Sequence, residues 1–316
     1  MPNEKQIDEI LCSTVRIKQK SVEQVFAKIS DGSLNISNNN KLEIFALGID
    51  NNLFSYDSLF DLLKDNIGSY ALSRQEYKKN PERAISAGTE RMRPIFEGDC
   101  GSGGELGELL LYIFLEYYLK APKILTKMEL KTVRSQYIFG ADGVHFHSFE
   151  NNGAKHFQLI LYESKLKKNI DKAITKAFES ITEVNTRKGQ EISLVASELF
   201  KETFSDEDAQ LLLSYVIPNQ TEDFTNNLYK NYAFSIFIGF DYAVSEGSVE
   251  QQRAKLIADL KTIASEAVGK INKQIEKHKL TGYSFYVYLL PFNDIESDRK
   301  NLLKQLIENN RYERHK

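Results

Sequence analysis

Leu106, Leu109, Leu110, Ile113, Phe114 and Tyr117 recur at i, i+3, i+4, i+7, i+8 and i+11, which predicts an amphipathic helix that Pro122 brings to an end. Three shorter runs follow, Lys123–Lys131, Gly140–Phe149 and Phe157–Lys165, and read as strands. Leu166, Ile170, Ile174, Ala177, Phe178 and Ile181 then mark a second amphipathic helix, so the central order is helix, three strands, helix. Before this block the pattern is weak. Ser58–Asp65 predicts a short helix around Leu59, Phe60, Leu62 and Leu63, Asn35–Asn40 is a polar loop, and the charged run Glu76–Pro81 ends in a helix-breaking proline. Phe96–Gly104 carries four glycines in nine residues and is the strongest breaker in the chain. Beyond it, Tyr232–Tyr242 and Tyr283–Phe292 read as β-rich runs, separated by a long helix over Val249–Lys279 and followed by another near Asp298–Asn309. Two late strands cannot enclose a core of their own, so they are expected to extend or flank the central sheet. The expected organisation is α/β, with residues 1–97 as an N-terminal extension and 98–316 as one domain with C-terminal strand and helix elaborations.

Composition narrows the classes. With 316 residues, 41% hydrophobic and 27% charged, the chain lies in the globular range, which excludes disorder and fibrous repeats. A net charge of −3 excludes a polycation that coats nucleic acid, although residues 120–190 hold 13 Lys and Arg against 7 Asp and Glu. The two cysteines, Cys12 and Cys100, cannot staple a fold of this size, and a reducing compartment is expected. The longest apolar run, Leu109–Leu115, is far short of the roughly 20 residues a bilayer requires, and Met1–Asp8 is polar. A soluble cytoplasmic protein without a membrane span is the expectation.

The candidate chemistry lies on the second and third central strands. Asn152-Gly153 is a strong two-residue turn signal, because both central positions of a type I′ turn need positive φ. If it is the turn, Asn151 pairs with Ala154, Phe146 with Leu159, Val144 with Leu161, and Asp142 with Glu163. Directly opposed residues share a face, and Lys165, two residues beyond Glu163, points the same way. Two carboxylates at such a distance repel unless a cation lies between them. Glu105 and Glu108, off the apolar stripe of the first helix, offer a third carboxylate or simply complement the helix dipole. Hard oxygen ligands without a His–Cys cluster suit Mg2+ or Mn2+. Such a pair with an adjacent ammonium fits phosphodiester hydrolysis, with Asp142 and Glu163 on the metal and Lys165 either orienting the water or stabilising the transition state. His145 and His147 lie opposite Asp142 and read as packing residues. Gly98–Gly104 lacks the Lys-Ser/Thr of a phosphate-binding loop and reads as a hinge. Lys168, Lys172 and Lys176 recur every fourth residue, either as a solvated helix face or as contacts to a DNA backbone.

Helix, Asp142, hairpin and Glu163-Ser164-Lys165 together resemble the PD-(D/E)XK nuclease superfamily, with Gly140-Ala141-Asp142-Gly143 in place of Pro-Asp. More closely, Gly104–Leu119, Gly140–His145, Leu159–Lys168, Phe234–Tyr242 and Tyr286–Phe292 are similar to blocks of the HamA family, nuclease subunits of the Hachiman anti-phage system. The resemblance implies a PD-(D/E)XK-like core and catalytic roles for Asp142, Glu163 and Lys165, with Glu108 (or Glu105) as the helix acid. It also implies DNA as substrate and a helicase subunit, HamB, as partner. The expected function is therefore Mg2+-dependent DNA cleavage by a nuclease effector. The competing reading is an inactive scaffold that binds DNA or the helicase. A small-molecule hydrolase is disfavoured by the lack of a Ser–His or Cys–His arrangement.

Overall fold

The computed structural model of the chain describes residues 15, 17, 19–97, 104–130, 140–151, 154–203 and 232–308. A short helix, α1 (Gln19–Val25), leads into β1 (Ala27–Gly32) and β2 (Asn40–Ala46). A small hairpin of β3 (Ile49–Asp50) and β4 (Leu53–Phe54) turns on Asn51 and Asn52, both at positive φ, a region asparagine tolerates. The helix expected over Ser58–Asp65 is longer, α2 (Asp57–Ala71), and buries Leu59, Leu62, Leu63 and Ile67. Ser73 and Glu76 form a capping box that starts α3 (Arg74–Lys79), and Pro81 opens a single 3-10 turn before α4 (Ala84–Glu97). The glycine-rich breaker falls between α4 and α5 (Gly104–Tyr118), with residues 98–103 outside the described ones.

The three expected central strands are β5 (Lys123–Thr126), β6 (Gly143–Asn151) and β7 (Ala154–Leu166). The first is shorter than expected. Lys127–Leu130 is a helical turn, α6, because the Thr126 hydroxyl accepts the Glu129 N–H at 3.3 Å and draws the chain out of the strand; Lys131 lies outside the described residues. Leu166, expected on the second helix, is the last residue of β7, and α7 begins later, at Ile170–Thr203. Then come β8 (Tyr232–Asp241), α8 (Val249–Lys277), β9 (Ser284–Phe292) and α9 (Ile295–Glu308). None of the described helices is long and apolar enough to cross a membrane.

All but the β3–β4 hairpin join one seven-stranded mixed sheet in the order β1-β2-β9-β8-β7-β6-β5. β6 and β7 pair antiparallel from Gly143↔Tyr162 to Asn151↔Ala154, which is the register the Asn-Gly turn predicts, although Asn152 and Gly153 themselves lie outside the described residues. β8 and β9 extend the sheet from β7 as parallel neighbours, as their uninterrupted burial requires. β2 runs parallel to β9, and β1 closes the edge, so residues 27–46 supply two strands to the same sheet. Helices cover both faces. Phe114 of α5 packs on Phe237 and Tyr288, whereas Phe178 of α7 stacks on Phe285, three residues along β9 from Tyr288 and therefore on the other side. α5 is buried almost all round, including Glu105 and Glu108, which the apolar stripe alone leaves at its solvated margin. Its first turns press on β7 at Gly107, where a Cβ would meet the Ser164 side chain at 2.9–3.0 Å.

Candidate active site

β5 ends and β6 begins at the same level of the sheet, beside a stretch of β7 that runs on to Leu166. Thr126 pairs with Gly143, and Gly143 with Tyr162. One residue further, Asp142 donates its N–H to the Tyr162 carbonyl at 3.0 Å and accepts the Lys127 N–H on its own carbonyl at 2.9 Å. Lys127 and Asp142, just outside β5 and β6, are thus successive positions that lead across the sheet to Glu163 within β7. Gly143 is needed here for close approach, since a Cβ would lie 2.4 Å from the Tyr162 ring.

The carboxylates are sunk in the fold, Asp142 at 6% and Glu163 at 5% exposure. Asp142 Oδ2 accepts from the Ser164 N–H at 3.0 Å and the Ser164 hydroxyl at 3.3 Å, which fixes the group where the ladder would otherwise leave a donor unmade. Its Oδ1 lies 3.6 Å from the Lys127 ammonium. Glu163 Oε1 accepts from the ammonium of Lys165, whose side chain is 22% exposed. Burial, and then the charge of Asp142, hold the Glu163 carboxyl above the ordinary carboxylate range, with Lys165 and Lys127 opposing without prevailing. Lys127 shows the balance from the other side. Burial pulls its ammonium down, but Asp142, Glu108 and Glu163 outweigh it and raise the pKa. Two carboxylates and two ammoniums therefore form one coupled electrostatic group.

Glu108 accepts from the Tyr70 hydroxyl at 2.7 Å and contributes to the field at Lys127; Glu105 is buried a turn earlier on α5. Among the described residues no three His, Cys, Asp or Glu side chains converge as a metal cage. Mg2+, however, is commonly held by one or two carboxylates, with water and substrate phosphate completing the shell. Asp142 and Glu163 fit that demand: hard oxygens, buried, mutually repelling, and at present neutralised by lysines.

The lysine stripe lies on the exposed surface. Lys168 lies 3.9 Å from Asp294 and 3.7 Å from Glu296, Lys176 pairs with Glu179 at 2.6 Å, and Lys172 is exposed in the first turn of α7. Reading the sequence misses Lys127, because it stands inside a run taken as strand. Only the irregular β5–β6 register, shifted between Lys123 and Leu125, brings it opposite Asp142.

A model of the HamA family matches residues 22–306, from within α1 to within α9. The chain belongs to the HamA family. That membership makes it a Hachiman defence protein, and the match takes in every strand of the sheet and all of Asp142, Glu163, Lys165 and Lys127. A search of curated proteins finds no match.

The two strand histidines are packing groups, as their position opposite Asp142 suggests. His145 donates from Nδ1 to the Ala121 carbonyl at 2.7 Å, and burial lowers its pKa to about 3; burial lowers that of His147 to about 4. An unfolded histidine takes its proton near pH 6.5. The unfolded chain therefore binds protons first. This contribution to stability is complete above about pH 6.5 and falls as the pH drops toward 4, by about 1.4 kcal/mol per pH unit for each histidine. Urea midpoints measured from pH 7 to 4 should decline more gently in His145→Gln and His147→Gln than in the parent. Identical slopes would mean that these imidazoles are not held neutral.

Proposed function

We propose that this HamA family member is the nuclease of its Hachiman system, hydrolysing DNA phosphodiester bonds with Mg2+ (or Mn2+) in concert with a helicase subunit. The observation that carries the reading is the buried pair of Asp142, just before β6, and Glu163, on the adjacent β7, with Lys165 hydrogen-bonded to Glu163. A purely structural strand end gains nothing from forcing a buried carboxyl against a second one, whereas a cation-binding site depends on it. A divalent ion held by the two carboxylates supplies Lewis acidity toward phosphate and water. Ser164 holds Asp142 in a fixed orientation, so the site is organised before substrate arrives. Once Glu163 is engaged elsewhere, the Lys165 ammonium is released to orient the attacking water or to stabilise charge building on the phosphorus-bound oxygens. Tyr70 holds the Glu108 carboxylate by a hydrogen bond.

The test is incubation of supercoiled plasmid with the purified full chain, alone and with the helicase subunit, in Mg2+ and in EDTA. Nicked or linear DNA in Mg2+ and intact plasmid in EDTA is the expected result. Intact plasmid under every condition, with helicase binding retained, would replace the nuclease reading by the scaffold reading.

A further inference from the structure

We infer that Lys127 is a second cationic residue of the site and takes a phosphate oxygen of the DNA substrate; the inference rests on the nuclease reading above. One lysine begins β5 and another follows directly after it, and they contrast sharply. Lys123 is 3% exposed and spends its ammonium on the carbonyls of Ser69, Tyr70 and Leu72 and on the Glu129 carboxylate. Lys127 is 41% exposed, and among the described residues the partner of its ammonium is Asp142 Oδ1 at 3.6 Å, a separation too long for a good hydrogen bond. An ammonium has three donors to offer. Those of Lys127 are left at the mouth of a site whose carboxylates lie deeper.

Lys127 is not needed to orient Asp142. Ser164 does that through Oδ2, on the β7 side, while Lys127 approaches Oδ1 from the β5 side. Its backbone is pinned by the Lys127 N–H to Asp142 carbonyl bond at 2.9 Å, which fixes the root of the side chain and leaves its tip free to travel. Lys127 stands beside Asp142 on the β5 side, and Lys165 follows Glu163 two residues along β7, so a polyanion approaching the carboxylate pair meets an ammonium next to each carboxylate. When a divalent ion satisfies Asp142, the flexible ammonium beside it is freed, and the nearest new anion is the substrate phosphate. A point charge on a flexible stem suits that task.

The experiment uses the full chain as wild type, Lys127→Met and Lys127→Arg. Binding to a fluorescent DNA duplex is followed in Ca2+ across a range of salt, and Mg2+ binding without DNA is measured by calorimetry. Loss of one phosphate contact should lower the slope of log affinity against log salt by about 0.9 in Lys127→Met, while Lys127→Arg keeps the wild-type slope. Mg2+ should bind Lys127→Met at least as tightly as wild type, since a competing cation has been removed. An unchanged salt slope in a protein that cleaves DNA overturns this inference alone. Weaker Mg2+ binding in Lys127→Met also overturns it, because Lys127 would then be a strut for Asp142. A wild type that neither binds nor cleaves DNA removes the nuclease reading and this inference together.

Discussion

Glu163→Gln is expected to abolish Mg2+-dependent plasmid cleavage, by at least about 10²–10³-fold, and to leave the metal-free protein no less stable. Gln has the shape of Glu, so no cavity opens beside Leu161 and Tyr162, which are buried on the same strand. What disappears is a buried charge facing Asp142, whose cost is visible in the raised pKa of Glu163, caused first by burial and then by Asp142. The sign follows from linkage. A carboxyl whose pKa is raised by folding contributes stability that is complete below its unfolded value and is lost as the pH rises through the folded one. Wild type should therefore lose stability as the pH climbs from the ordinary carboxylate range, and Glu163→Gln should flatten that loss. Lys165→Ala should be similarly inactive, and because the side chain is partly exposed its removal uncovers little core. Melting curves between pH 5 and 9, helicase pull-down and plasmid cleavage on the same preparations decide the matter. Wild-type cleavage by either variant would end the assignment. Loss of cleavage together with a collapse in melting temperature would make these residues structural.

Much of this site is legible in the sequence because a hairpin register is a local property. Asn152-Gly153 names the turn, the apolar positions Val144, Phe146, Leu159 and Leu161 agree with it, and Asp142 follows opposite Glu163 by counting. The parts that escape depend on distant contacts. Asn40–Ala46 pairs with Ser284–Phe292 across some 240 residues of chain, and neither segment states its partner. The buried acids of α5 look like solvated residues from their spacing, because helical periodicity reports one packed face while α5 is covered on all sides. Lys127 escapes through a one-residue slip: the β5–β6 register shifts between Lys123 and Leu125, so the lysine just past the end of β5 falls beside Asp142.

Lys123→Met is expected to be the most destabilising single change considered, lowering stability by about 3–5 kcal/mol. By composition Lys123 is an unremarkable surface lysine at the start of a strand, yet its ammonium is buried where α2 ends. It donates to the carbonyls of Ser69 at 2.7 Å, Tyr70 at 3.1 Å and Leu72 at 2.9 Å, groups that a helix C-terminus leaves without intrahelical partners, and a cation there also complements the helix dipole. It pairs in addition with Glu129, whose carboxyl is pushed up by burial and drawn back down by Lys123. Methionine keeps the aliphatic stem and removes only the charge, so apolar packing is nearly preserved. Three carbonyls and one carboxylate then lose the ammonium, with the Thr126 hydroxyl still shared between Tyr70 and Glu129, which is the costly half of breaking an internal ion pair. The second substitution separates charge from shape: Lys123→Met with Glu129→Gln removes both charges and should recover part of the loss, since replacing a buried pair costs less than orphaning one member. Urea unfolding of the two variants and the parent supplies the comparison. A Lys123→Met midpoint equal to the parent's would show that the ammonium is not the tie between α2 and β5. A double variant as unstable as the single one would place the cost in the helix carbonyls rather than in Glu129. The same tie holds the strand that delivers Lys127 to Asp142, so a chain that survives Lys123→Met folded should also cleave DNA more slowly, without any change to Asp142, Glu163 or Lys165.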